Sequence, residues 1–121
     1  MFPTLTAAIE HIKAGTMRAL AVTTTTRSAA LPDVPTVGDF LPGYEASAWY
    51  GIGAPKLTPP DIVVTLNKEI NTALADPKIK ARLADLGGTT LGGSSADFGR
   101  LIADEAEKWA KVVKFSGAKA S

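Results

Sequence analysis

Leu5, Ala8, Ile9 and Ile12 recur at i, i+3, i+4 and i+7, which predicts an amphipathic helix over residues 5–14. Thr4 stands where a cap belongs, and Gly15 where a helix ends in a left-handed turn. From Arg18 to Thr24 the period changes. Nearly continuous small apolar residues followed by β-branched threonines predict a strand covered on both faces. Six of the eight prolines then fall between Pro32 and Pro60. Proline removes an amide donor and biases the preceding residue away from helix, so this stretch reads as a long connection with one helical turn near Thr36–Phe40. Inside it, the apolar and aromatic run Ala46–Gly53 predicts a second strand, stopped by Ala54-Pro55.

Helical spacing returns after the prolines. Thr58 reads as a cap, Pro59 as the first helical residue and Asp61 as a favourable charge at the N-terminal dipole. Ile62, Val63, Leu66, Ile70, Ala73 and Leu74 form one apolar face to about residue 75. Asp76-Pro77 restarts a helix that turns Ile79, Leu83 and Leu86 inward and stops at Gly87. A short extended piece, Thr89–Leu91, lies between two glycine pairs. Ser94 or Ser95 caps a last helix striped by Phe98, Leu101, Ile102, Trp109, Val112 and Val113. In that helix acidic residues precede basic ones, and Asp104–Lys108 and Glu107–Lys111 are spaced as i, i+4 pairs. The result is an α/β chain with two solid strands and four helices, too few strands to shield the edges of a sheet.

Composition narrows the function classes. The chain has 121 residues, 45% apolar and 21% charged, which fits a folded domain with one modest core. Thirteen basic and twelve acidic residues give a net charge of +1, and neither half is a polyelectrolyte, which argues against a phosphate-backbone or anionic-membrane binder. The absence of cysteine excludes disulfides, thiolate catalysis and Cys-ligated zinc. No apolar run approaches 18 residues, and no basic stretch followed by an apolar run marks a signal peptide.

Catalytic signals are weak. His11 is the sole histidine, beside the apolar stripe of the first helix, and reads as structural or surface. Asp104, Glu105 and Glu107 are interleaved with lysines, as on a solvated helix face. Ser116 and Lys119 match S-x-x-K by chance in a frayed tail, and Gly51-Ile-Gly53 and Gly87–Gly93 lack the remainder of a dinucleotide or phosphate loop. Trp49-Tyr50 reads as core on a buried strand. No cofactor and no metal site is expected, and nothing supports an enzyme.

Several runs occur together in one order: His11-Ile-Lys-Ala-Gly15, Arg18-Ala-Leu-Ala-Val-Thr23, Arg27, Leu31-Pro-Asp-Val-Pro-Thr36, Pro42-Gly-Tyr44, Trp49-Tyr-Gly51 and Ala54-Pro55. Pro60 to Asn67, Ala73–Pro77 and Trp109 to Gly117 continue the pattern. From Met1 to about Gly117 the chain resembles the C-terminal part of the extracytoplasmic solute-binding receptors of tripartite tricarboxylate transporters, the Bug or TctC-like family. The resemblance implies a partial periplasmic-binding-protein (type II-like) fold, with helices packed on an incomplete sheet. It implies residues 1–24 as a remnant of the second lobe, 25–45 as the hinge crossing and 46–121 as the C-terminal part of the first lobe. It also implies a periplasmic receptor that binds a small carboxylate and hands it to membrane permease subunits, with Met1 an internal position of a full-length member. Family receptors hold the carboxylate largely through backbone amides and ordered water in loops N-terminal to this segment. The matching stretch at the cleft is Met1 to Thr4, which makes Phe2, Pro3 and Thr4 the expected ligand-binding residues. The chain alone is expected to lack high-affinity carboxylate binding. The competing expectation is a non-binding fragment or scaffold that associates with further copies through unpaired strand edges and apolar faces.

Overall fold

The computed structural model describes residues 1–119, so the last two residues of the expected 46–121 segment lie outside the described residues. The element order is helix α1 (Leu5–Lys13), a 3-10 turn (Val37–Asp39), then helices α2 (Pro60–Ala75), α3 (Pro77–Asp85) and α4 (Ser95–Ser116). α3 and α4 begin where local chemistry dictates. Asp76 caps α3, its carboxylate accepting from the amides of Lys78 and Ile79, with Pro77 at the first position, where its missing N–H costs nothing. Ser94 and Asp97 form a reciprocal capping box at the start of α4. α1 and α3 close in the same way. Gly15 (φ 73°) and Gly87 (φ 76°) adopt the left-handed conformation, and the amides of Thr16 and Gly88 reach back to the carbonyls of His11 and Leu83. α2 starts at Pro60, one residue later than its sequence suggests. The Pro59 carbonyl accepts from Ile62 and Val63, which puts Pro59, and not Thr58, at the cap position.

The expected strands do not form ladders. Among the described residues no strand is assigned, and the sheet is reduced to one parallel bridge, Val22 with Thr36. In it the Val22 amide donates to the Pro35 carbonyl and the Val37 amide to the Val22 carbonyl, at 2.9 and 2.8 Å. Ala46–Gly53 contributes one more bond, from the Ala46 amide to the Thr23 carbonyl. An extended segment becomes a strand when a neighbour supplies a row of partners, and these segments find one or two bonds each. Trp49 is half-buried, whereas Tyr50 is 80% exposed and so is not the core residue its composition suggested.

The chain divides into two compact units. The first joins Met1–Tyr50 to Ala73–Leu91. Its core is small: Ala8 and Ile9 are the buried apolar residues of α1, and Ile9 is fully enclosed. α1 lies against the end of α3. A Cβ on Gly87 would stand 2.6 Å from Leu5 Cγ, and Lys13 Nζ donates to the Asp85 carbonyl at 3.3 Å. The second unit joins Gly51–Thr72 to the chain from Gly92 onward. There the Phe98 ring lies over Gly51, so close that a Cβ would overlap it. Asn67 and Asn71 of α2 hold the loop before α4: both donate to the Gly93 carbonyl, at 3.0 and 2.9 Å, and the Gly93 amide donates back to Asn71 Oδ1 at 2.9 Å. Among the described residues no helix is long and apolar enough to cross a membrane.

Candidate functional site

The expected ligand-binding residues form the lead into α1. Phe2, Pro3 and Thr4 are all exposed, Phe2 at 85%. Thr4 is extended (φ −63°, ψ 146°), and its carbonyl accepts from Ala7 and Ala8, which fixes the backbone of the segment to the first turn of the helix. Its side chain does not cap. Thr4 Oγ1 accepts from the Thr6 hydroxyl at 3.2 Å and makes no bond to the first amides of α1. The positive end of the helix dipole is therefore not occupied by a side-chain oxygen of the cap residue, and no acidic residue sits in the first turn. Phe2 and Thr4 each carry an amide donor, whereas Pro3 has none. Chemically, this short run can offer N–H groups and a hydroxyl to a small anion.

A second feature lies in the same unit. An open cleft of about 300 Å³ is lined by Thr25, Thr36, Gly38, Asp39, Gly43, Tyr44 and Glu45. Its wall is a locked loop. Thr36, the one buried polar residue among those described, donates from Oγ1 to Asp39 Oδ1 at 2.9 Å, and the Thr36 and Asp39 amides complete a capping box. Arg27 spans the loop, donating to the Pro32 carbonyl and to Asp39 Oδ2, each at 3.4 Å. The Thr36 hydroxyl and amide, with the Arg27 guanidinium beside them, hold the Asp39 carboxyl below its usual range. Asp39 is thus an anion at neutral pH, and Glu45 adds a second carboxylate to the same wall. Like charge disfavours a carboxylate ligand here, so the cleft and the Phe2–Thr4 segment differ in kind, and no residue is shared between them.

The other sequence candidates resolve into local structure. His11 is exposed, and its carbonyl and Nδ1 meet the Thr16 hydroxyl at 3.1 and 3.5 Å. Ser116 donates to the Val113 carbonyl and accepts from the Ala118 amide, an ordinary helix-end arrangement. Glu105 accepts from Trp109 Nε1 at 2.8 Å and pairs with Lys108 at 3.1 Å, while Glu107 pairs with Lys111 at 2.6 Å. Among the described residues no group of three or more His, Cys, Asp or Glu could hold a metal ion. Sequence reasoning missed the Arg27–Thr36–Asp39 lock and the asparagine clip on Gly93. The T-x-x-D spacing of Thr36 and Asp39 was a visible signal for the first. The clip joins residues 22 and 26 positions apart and had none.

Comparison with known proteins places this architecture. The R. palustris protein Rpa4515, solved with adipate, superposes with a TM-score of 0.87 at 37% identity, over 93% of this chain and 38% of that one. The periplasmic binding protein BugD superposes at 0.83 with 32% identity, over 94% and 39%. The fold is therefore part of a periplasmic binding protein. Residues 1–118 match the model of the tripartite tricarboxylate transporter family receptor, and the chain belongs to that family. This is a family of solute-binding receptors and not of enzymes. Protein BugT of Bordetella pertussis is 40% identical over 114 residues, 93% of this chain and 35% of BugT, so the chain spans about a third of that relative's length.

Proposed function

We propose that this chain forms the C-terminal part of a periplasmic receptor that binds a small carboxylate and delivers it to membrane permease subunits. The carrying observation is the superposition on a family structure that holds adipate, a linear dicarboxylate. In this reading residues 1–24 belong to the second lobe, 25–45 cross the hinge and 46–121 complete the first lobe. Phe2, Pro3 and Thr4 line the cleft between lobes, where the amides of Phe2 and Thr4 and the start of α1 face the ligand carboxylate. Neutral amide donors suit that task, because they hold an anion without titrating.

A three-residue contact is a small share of a receptor's clamp. The expected affinity of the chain alone is about millimolar, near −4 kcal/mol, against about −8 kcal/mol for a micromolar receptor. The test is adipate titration of the isotope-labelled chain by NMR. The expected result is saturable shifts of the Phe2 and Thr4 amides at millimolar adipate, with the cleft around Asp39 silent. Unmoved Phe2 and Thr4 amides, or shifts centred on Thr36 and Asp39, would refute it.

A further inference from the structure

Four carbonyls at the C-terminal end of an α-helix lack a partner within the helix. In α3 these belong to Arg82, Leu83, Ala84 and Asp85. The first three take amides of the turn that follows: Leu86 donates to Arg82 at 3.4 Å, and Gly88 to Leu83 and Gly87 to Ala84 at 2.8 Å each. The Asp85 carbonyl takes its donor from far along the chain. Lys13 Nζ donates to it at 3.3 Å, across 72 positions. A cation suits that oxygen, which lies at the negative end of the helix dipole. Lys13 also meets Glu10 Oε1, at 3.5 Å, but that pair stays on the surface of α1, with the Glu10 side chain 77% exposed, and contributes little.

Leu5, Ile9 and Lys13 stand at i, i+4 and i+8, close to one line along α1. Ile9 is fully enclosed, Leu5 lies against Gly87 and Lys13 reaches Asp85. Leu5 and Lys13 are about 12 Å apart along the helix axis, so one short stretch of chain holds α1 from both ends. A single contact fixes a point on a helix; a second, at the far end, fixes its direction. The Thr4 carbonyl accepts from Ala7 and Ala8, which makes the Phe2–Thr4 run a continuation of α1. We propose that Lys13 is a positioning residue for the ligand segment: its bond to the Asp85 carbonyl sets the direction of α1, and through α1 the aim of the Phe2 and Thr4 amides. Chain connectivity does not supply this hold. Asp85 falls in the 46–121 segment and Phe2–Thr4 in the 1–24 segment, yet both lie in one compact unit.

This inference rests on the receptor reading but is tested apart from it. Lys13→Met keeps the aliphatic stem and loses the donor, and Lys13→Arg restores a cation. Residual dipolar couplings of the backbone amides, measured without ligand, report the direction of α1 against α3. One alignment is expected to fit both helices in the parent chain and in Lys13→Arg, and to fail in Lys13→Met. In an adipate titration, Lys13→Met should weaken binding at the Phe2 and Thr4 amides about threefold or more. Lys13→Arg should recover it, and Glu10→Gln should leave it unchanged. Amide exchange at Ala8 and Ile9 should stay as in the parent, which separates lost aim from lost fold. Four results overturn the proposal: couplings of Lys13→Met that fit one alignment, adipate binding by that variant as tight as the parent's, no recovery in Lys13→Arg, or a loss matched by faster exchange at Ala8 and Ile9. A parent chain whose Phe2 and Thr4 amides ignore adipate sinks the receptor reading, and the couplings still decide whether Lys13 directs α1.

Discussion

Gly87 offers a sharp test of how α1, and with it the Phe2–Thr4 segment, is held. Replacement by alanine has two separable costs. Its φ of 76° is left-handed, where a Cβ costs about 1–2 kcal/mol. The new Cβ would also stand 2.6 Å from Leu5 Cγ and 2.8 Å from Leu5 Cδ2, overpacking that costs about 1–3 kcal/mol. Together Gly87→Ala should destabilise the first unit by about 2–5 kcal/mol. With a urea slope of about 1–3 kcal/mol/M, the midpoint followed at 222 nm falls by roughly 1 M or more. In a Leu5→Ala background the overlap is gone and the backbone strain stays, so the same replacement should cost about 1–2 kcal/mol. Amide exchange at Ala8 and Ile9 should accelerate in parallel, because those residues are the buried face of α1. An unchanged midpoint, or equal penalties in the two backgrounds, would show that Leu5 does not rest on Gly87 and that α1 is held otherwise.

Two further outcomes follow from the polar contacts. Asn71→Ala removes the bond to the Gly93 carbonyl and the one from the Gly93 amide, a loss of about 2 kcal/mol, and exchange at Gly93 should quicken while that within α3 stays unchanged. The Asp39 and Asp97 carboxyls are both held low, first by side-chain and backbone bonds from Thr36 and Ser94, then by Arg27 and Arg100. A carboxyl whose pKa is depressed on folding contributes stability above its ordinary value and loses it as pH falls through the folded one. Thermal melts should be flat from neutral pH down to about pH 5 and decline below about pH 4. The decline should be blunted in Asp39→Asn/Asp97→Asn, and an equally steep loss in that variant would refute the assignment.

Much of the helical structure was legible because its signals are local. Asp76-Pro77, Ser94 with Asp97, and the glycines at 15 and 87 act within a turn of themselves. The strands were not legible in the same sense. Arg18–Thr24 and Ala46–Gly53 carry β propensity, but a ladder depends on a neighbour, and the described residues supply one bridge. Phe2, Pro3 and Thr4 carry no chemistry that spacing alone could reveal; family resemblance drew attention to them. The Arg27–Asp39 contact, 12 residues apart, became visible through geometry.

The segment from Arg27 to Tyr44 closes upon itself. Arg27 ties to Pro32 and Asp39, Thr36 to Asp39, Leu41 to Val37 and Tyr44 to Leu41, each partner at most 12 positions away. Loops this short close in about 10–100 ns, and prolines leave the open chain fewer shapes to lose. Among the described residues the enclosed apolar interior amounts to Ala8 and Ile9, so this loop is fixed by its own bonds and not by a core beneath it. This knuckle is complete before the ribosome reaches α2, because every partner in it lies within Arg27–Tyr44.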